Sequence, residues 1–219
     1  MELAQVLRRR HMHRAFRPDP LERETIAALV GAALSAPSAG NAQGVELVVL
    51  DGPDETRRYF EAATDADWRE RTKVHRRTLD APLVLVLLAD PERYASRYRE
   101  PDKASSGLGR AEDWPVPYWF VDAGCAAMAV LLRAEDLGLA AAFLGAFRRQ
   151  AELGVALALP PGVVVVGAIA IGQPAPGPPG RSASRPRRPV SERVHRGRFG
   201  VPWGAPRATD DVPEPLEPA

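Results

Sequence analysis

The chain has 219 residues, enough for one sizeable core, and its 45% hydrophobic and 26% charged residues are the balance of a folded globular protein rather than a disordered or membrane one. A formal net charge of +1 argues against a general nucleic-acid binder, because the basic residues are matched overall and only local clusters stand out. Cys125 is the sole cysteine, which excludes an intrachain disulfide and an all-cysteine metal site; beside Ala126, Ala127 and Met128 it is expected to be a small buried thiol. No stretch approaches the roughly 18 uninterrupted apolar residues of a membrane span, so no membrane partner is expected and the cytoplasm is the default location.

Leu3, Val6 and Leu7 recur at helical spacing, so a short amphipathic helix opens the chain and runs into Arg8-Arg9-Arg10-His11-Met12-His13-Arg14. Guanidinium groups suit bidentate phosphate binding, and clustered like charges repel unless an anion or solvent relieves them. A solvated basic helix end, favourable against the helix dipole, accounts for the same residues, and both readings stay open at this point.

Asp19-Pro20-Leu21-Glu22 has the form of a helix start, with Asp19 as cap, Pro20 in the first turn and Glu22 completing a capping box. Ile26, Leu29, Val30, Ala33 and Leu34 make one apolar face that leads to Ala36-Pro37-Ser38-Ala39-Gly40-Asn41-Ala42-Gln43-Gly44. In this loop Gly40 and Gly44 permit backbone dihedrals that a side chain forbids, while Ser38, Asn41 and Gln43 offer donors and acceptors suited to a flat polar heterocycle or a polyol. An ordinary helix-to-strand connection is the stronger account of the loop taken alone. The basic clusters near either end of the chain change that balance.

Val45 to Leu50 is β-branched and apolar enough for a buried strand, closed by Asp51-Gly52-Pro53. The charged segment Asp54 to Leu79, with Tyr59, Phe60, Trp68, Val74 and Leu79 scattered through it, suits one or two surface helices. Leu83 to Ala89 is a second strand whose near-continuous apolarity implies burial on both faces. Glu100 to Pro117 has little periodicity and reads as a lid or binding loop; Trp114, Tyr118, Trp119 and Phe120 close it, with core packing expected for at least half of them.

Val121 to Leu137 is a helix whose many alanines permit close approach to another helix or subunit, capped by Gly138. Leu139 to Leu144 is a short strand leading to Gly145, Arg148 to Leu159 a helix, and Val163 to Gly172 a third clear strand, buried on both faces. Beyond Gln173 the composition turns to Pro, Gly, Ser and Arg, where the arginines at 181, 185, 187 and 188 form a second cationic cluster. A fold that brings this cluster to the N-terminal arginines would hold a phosphate. One domain over 1–200 and a Pro-rich tail over 201–219 are expected.

His11, His13, His75 and His195 form no zinc-protease helix pair, and no GxSxG elbow, Walker loop or GxGxxG follows a strand, so neither a metal nor a side-chain nucleophile is expected. What remains is an anion site paired with an amide-rich loop. That pairing suits a phosphorylated cofactor bearing a polar ring system.

Arg10-His11-Met12-His13-Arg14-Ala15-Phe16, followed about one helix later by Ala36 to Gln43, resembles the paired N-terminal signature of the nitroreductase family of flavoproteins. Later pieces agree in order and spacing: Asp122 opening a small-residue helix, Leu137-Gly138-Leu139, Phe143-Leu144-Gly145, Ile169-Ala170-Ile171-Gly172 and Arg185-Pro186-Arg187-Arg188-Pro189. The resemblance spans roughly residues 3 to 199 and rests on the order of several weak motifs. It implies an α+β fold, an α/β/α sandwich around a mainly antiparallel sheet, in an intertwined homodimer with one FMN at each end of the interface. It further implies an NAD(P)H-dependent oxidoreductase that passes hydride from NADH or NADPH through the flavin to a small acceptor such as a nitro compound or quinone, with no catalytic side chain.

By the same resemblance Arg10 and Arg14 hold the flavin phosphate and ribityl chain from the N-terminal side, and Arg185 and Arg187 are C-terminal phosphate ligands. Pro37, Ser38, Ala39 and Asn41 reach the flavin from the other subunit. Leu144 and Gly145 present backbone amides to the reactive ring nitrogen, and Arg77 is a cation near the pyrimidine edge. Met12 stands where the family commonly has a serine hydroxyl on the flavin, so that hydrogen bond is absent or supplied by His11 or His13. Gly44-Val45 replaces the usual Pro-Trp, and Trp114 to Phe120 has no general family counterpart. Two rival expectations accompany this one: the same fold with different flavin or deazaflavin chemistry, and a non-catalytic dimeric flavin-binding protein.

Overall fold

Apolar side chains on both faces of a strand require cover on both. Leu83–Ala89 receives it: in a computed structural model of the chain every residue of this strand is buried. The structure describes residues 1–71, 77–177 and 184–204, the side chains of 70 and 71 excepted. The strands are Val45–Asp51 (β1), Leu83–Ala89 (β2), Ala140–Gly145 (β3) and Val164–Gly172 (β4), in the order β1-β2-β4-β3 and antiparallel at every pairing. The described α-helices are Leu3–Arg9 (α1), Arg23–Leu34 (α2), Pro53–Ala63 (α3), Ala66–Arg71 (α4), Pro91–Tyr98 (α5), Tyr118–Asp136 (α6) and Gln150–Ala156 (α7).

Alternation along the strands sends their side chains into two cores. On one face Leu83, Leu85, Leu87, Ile169 and Ile171 pack with Ile26 and Leu29 of α2 and with Ala126, Val130 and Leu131 of α6. On the other, Val84, Val86, Leu88, Ala168 and Ala170 meet Tyr59 and Phe60 of α3 and Leu153 of α7. The result is the helix, sheet, helix sandwich that the sequence implies.

Four local expectations need correction. β1 is an outer strand rather than a buried one, with only Leu50 fully covered, because it has β2 on one side alone. Asp19 caps no helix: α2 begins at Arg23 with Glu22 at its N-cap, Asp19 accepts a hydrogen bond from Arg17 Nε at 2.8 Å, and the extended chain first seats Leu21 against the core. Cys125 is exposed, since Ala123, Ala126, Ala127, Val130 and Ala134 claim the core face of α6 and turn it outward. Finally, α5 was not foreseen, although Asp90-Pro91-Glu92 starts it in a legible way: Pro91 occupies the first turn and the Asp90 carboxylate accepts the Glu92 N–H at 3.0 Å.

Other expectations match. Gly138 closes α6 at φ 74°, and of the aromatic group Trp114 and Trp119 are buried while Tyr118 and Phe120 remain exposed. Those falling on Val74, His75, Arg181 and residues 205–219 lie outside the described residues.

The chain divides into two compact units, Met1–Gly180, which holds the sheet and all seven helices, and Arg181–Ala219. Within the second, Arg188 pairs with Glu192 at 3.1 Å and the Trp203 N–H donates to Val194 O at 3.0 Å, so Val201 to Gly204 fold back on the segment before them. Among the described residues no helix is long and apolar enough to cross a membrane.

Candidate functional site

The basic segment after α1 is laid along the free edge of β3. His13 N–H donates to Ala141 O at 3.0 Å, and the Phe143 N–H donates to the Met12 thioether at 3.4 Å. Met12 therefore occupies an edge position that a hydroxyl would also fill, and its side chain packs on the core beneath. From the other side the Phe16 N–H donates to Arg77 O at 3.1 Å, the Thr78 hydroxyl donates to Arg14 O at 2.7 Å, and Arg77 Nη1 reaches Pro176 O at 3.2 Å. The His13 ring bonds Ala175 O at 3.0 Å, and His11 stands edge-on to it with centroids 5.7 Å apart. Ala15 and Phe16, both buried, anchor this basic strip.

The arginines of the strip differ in what they meet. Arg9 pairs with Glu135 at 3.1 Å. Arg10 Nη1 is buried with no hydrogen-bond partner, and the half-buried Arg14 guanidinium has no ion pair among the described residues. Burying cationic donors without acceptors is costly, so a site that does so is shaped for an anion.

Pleating fixes which amide of the expected pair is available. In an antiparallel edge strand, alternate residues turn both backbone groups outward. Ala141 and Phe143 do so, as their bonds to His13 and Met12 require, and the alternation makes Gly145 the next outward residue. Leu144, paired with Ala168, turns its N–H inward to β4. A Cβ at Gly145 would fall 2.4 Å from the Phe147 ring, and one at its neighbour Gly167 would lie 2.7 Å from Leu144 O. The exposed Phe147 ring can swing away from the first, whereas the second meets backbone, so it is Gly167 that must lack a side chain.

The amide-rich loop lies at the opposite edge. It precedes β1, and β2 and β4 stand between β1 and β3, a separation of roughly 14 Å from three strand spacings. One chain thus lays Arg10, His11, Met12 and Arg14 along the strand that carries Leu144 and Gly145, ties Arg77 to the end of that segment at Phe16, and has Pro37, Ser38, Ala39 and Asn41 in the loop before the opposite edge strand. Arg185 and Arg187 are exposed in the second unit.

The loop itself is tightly tied. Gly40, Asn41 and Gln43 have φ of 59°, 57° and 50°, the left-handed region that costs a non-glycine residue strain. Gln43 N–H donates to the Ser38 hydroxyl at 3.0 Å, Ala39 N–H to the Asp122 carboxylate at 2.9 Å, and Arg97 Nε to Gly40 O at 2.8 Å. The Tyr94 hydroxyl donates to the same Asp122 oxygen at 2.7 Å, and burial together with that carboxylate pushes the phenol pKa upward. Sequence reasoning gave Asp122 no role and did not find Tyr94 or Arg97. Asp122 carried a signal, being the sole charged residue between Tyr118 and Leu132.

Among the described residues no group of His, Cys, Asp and Glu is placed to hold a metal ion. A hollow of about 320 Å³ between Pro18, Thr56, Phe60, Arg69 and Pro82 contains none of the residues named above.

The chain is similar to known proteins over most of its length. The chain is 28% identical over 184 residues to the FMN reductase [NAD(P)H] of Bacillus subtilis (strain 168), covering 84% of this chain and 68% of that protein. A crystal structure from Desulfovibrio desulfuricans in complex with FMN shares 25% identity and superposes with a TM-score of 0.64, covering 91% of this chain and 98% of the other. NfrA1 of B. megaterium, 21% identical, has the same fold with a TM-score of 0.69 over 91% of this chain and 75% of its own. The sequence model of the nitroreductase family matches residues 7–173, and the chain belongs to that family.

Proposed function

We propose that the protein is an FMN-dependent oxidoreductase, passing hydride from NAD(P)H to a small organic acceptor such as a nitro compound or quinone, and that it works as a cytoplasmic homodimer. The observation that carries this reading is the edge of β3, where strand alternation turns the Gly145 backbone outward and the basic segment bonded to Ala141 and Phe143 carries Arg10, with one guanidinium nitrogen buried and without a hydrogen-bond partner, and Arg14, with no ion pair among the described residues. FMN fits these residues: its phosphate is the acceptor that the buried Arg10 Nη1 lacks, and Gly145 itself carries no side chain.

When bound, FMN supplies the hydride chemistry, and the chain supplies binding, orientation and dipoles. Arg10 and Arg14 would hold the phosphate end. The Gly145 N–H would be a fixed donor for the bound ring, one that needs no reorganisation. Arg77 would supply positive charge to the site, Leu144 would shape the wall beside Gly145, and His11 and Met12 would line the strip. No side-chain acid or base is required.

The dimer is part of this reading: Pro37, Ser38, Ala39 and Asn41 would complete the site when a second copy brings them to β3. In support, α6 presents Phe120, Val121, Gly124, Cys125 and Met128 outward, an uncharged stripe whose large members are 43%, 45% and 46% exposed. Apolar faces of this kind mark protein contacts.

The test is the absorption spectrum of the purified protein with its released chromophore identified, followed by anaerobic mixing with NADH and NADPH. A flavin spectrum that bleaches with either nucleotide is expected. Protein that neither carries nor takes up FMN overturns the reading, and bound flavin that bleaches with neither makes it a binding protein. The double variant Arg10→Ala/Arg14→Ala is expected to purify colourless; a fully flavinated double variant removes both residues from the phosphate site.

A further inference from the structure

We infer that Asp122, Tyr94 and Arg97 are positioning residues, a clamp that sets the Ser38–Gln43 loop in its cofactor-binding shape before any cofactor arrives. The inference rests on the function proposed above and concerns residues outside the anion site.

Three features of the loop call for such a clamp. Its backbone takes left-handed conformations at Gly40, Asn41 and Gln43, two of them at residues with a side chain, and such conformations persist only where the surroundings enforce them. The loop's own bonds, Gln43 N–H to the Ser38 hydroxyl, Asn41 N–H to Ser38 O and Ala42 N–H to Ala39 O, leave the exposed Asn41 and Gln43 side chains without a hydrogen bond among the described residues. Its backbone is also gripped from outside at consecutive residues, Ala39 N–H by Asp122 and Gly40 O by Arg97.

The grip is itself braced. Asp122 is 6% exposed, and a buried carboxylate is expensive unless its lone pairs are used. The Tyr94 hydroxyl and the Ala39 N–H use one oxygen, at 2.7 and 2.9 Å. Arg97 is fixed by a two-pronged pairing with Asp102, both contacts at 2.7 Å, which leaves Nε aimed at Gly40 O. Packing adds to it, since a Cβ at Gly40 would lie 2.7 Å from the Tyr98 ring. A hydrophobic residue at 122 would serve the core of α6 equally well. A carboxylate there is explained by what it holds.

A pre-shaped loop loses less conformational freedom on binding, so the clamp should act on cofactor affinity more than on turnover. The experiment compares Asp122→Ala, Asp122→Asn and Arg97→Ala in the full-length protein. It measures the FMN dissociation constant by flavin fluorescence, kcat at saturating FMN, and amide hydrogen exchange over residues 39–43 in FMN-free protein. Asp122→Ala and Arg97→Ala are each expected to weaken FMN by about 10- to 100-fold, the worth of one hydrogen bond involving a charged group, with a smaller fall in kcat and faster exchange across the loop. Asp122→Asn keeps an acceptor in place and should restore most of the affinity. A role confined to stability would lower the melting temperature and move neither loop exchange nor the dissociation constant.

Folded variants with wild-type affinity and wild-type loop exchange overturn the clamp while leaving the flavin reading intact. Wild-type protein that binds no FMN overturns both. Should Asp122→Ala fail to fold, Arg97→Ala, whose side chain reaches the loop from the partly exposed side of α5, decides the same question.

Discussion

Arg9 and Arg10 are interchangeable to anyone reading the sequence, and the fold separates them: one meets Glu135, the other has a guanidinium nitrogen buried without an acceptor. Glycines show the same dependence on surroundings. A Cβ on Gly44 would lie 2.3 Å from the ring of Tyr94, which is wholly buried and cannot retreat. Gly44→Ala is therefore expected to cost about 1–3 kcal/mol, the usual penalty of overpacking. Gly31, in the middle of α2 with nothing within 4 Å of its built Cβ, should tolerate alanine and gain up to about 1 kcal/mol from helix propensity. Thermal unfolding of the two variants should move in opposite directions. Ionisation gives a second prediction at this scale. Burial pushes the Tyr59 phenol from 10.0 up to about 12, so above pH 10 the native state retains a proton that the unfolded chain releases. That contribution to stability is complete below pH 10 and is lost as pH rises toward 12. In Tyr59→Phe the decline of urea-unfolding stability between these limits should be shallower than in the wild type.

Elements were legible where burial imposed a one-dimensional pattern. β2 and β4 lie inside the sheet, so their sequences are near-continuous runs of apolar residues, and both were expected from those runs. β1 has a similar composition but an outer place, because which strand has one neighbour is settled by pairings distant in sequence. The exposure of Cys125 was hidden for a related reason: an alanine-rich helix shows no strong contrast between its faces, and the sheet beneath α6 decides which face is inward. Helix starts were read by chemistry alone, and the two aspartates that precede prolines divide. Asp90 caps α5 by accepting the Glu92 N–H, whereas Asp19 is spent on Arg17. Asp90→Ala should thus cost about 1 kcal/mol, and Asp19→Ala should stay within about 0.5 kcal/mol of the wild type. Equal losses in urea titration would mean that the Asp19 segment also stabilises a helix.

For the molecule as a whole, the sequence motifs gave candidate residues but not their distribution: the basic strip lies along the β3 edge, and the amide-rich loop leads into β1 at the opposite edge of the sheet. The prediction that belongs to this scale concerns Gly124, which lies in the exposed stripe of α6 with nothing within 4 Å of a built Cβ. In an isolated subunit Gly124→Glu should be accommodated, and replacing a mid-helix glycine favours the helix by up to about 1 kcal/mol. If α6 packs against a second copy, the same carboxylate is trapped in an apolar contact where it has no partner, a penalty of several kcal/mol. Light scattering should then report 23.7 kDa for the variant and twice that for the wild type, with helical circular dichroism retained. Flavin should be lost together with the dimer, because Pro37, Ser38, Ala39 and Asn41 can no longer be delivered to the strip that holds Arg10 and Arg14. A Gly124→Glu protein that stays dimeric and yellow would place the subunit contact on another face, and a monomer that keeps its flavin would mean that one chain completes the site unaided.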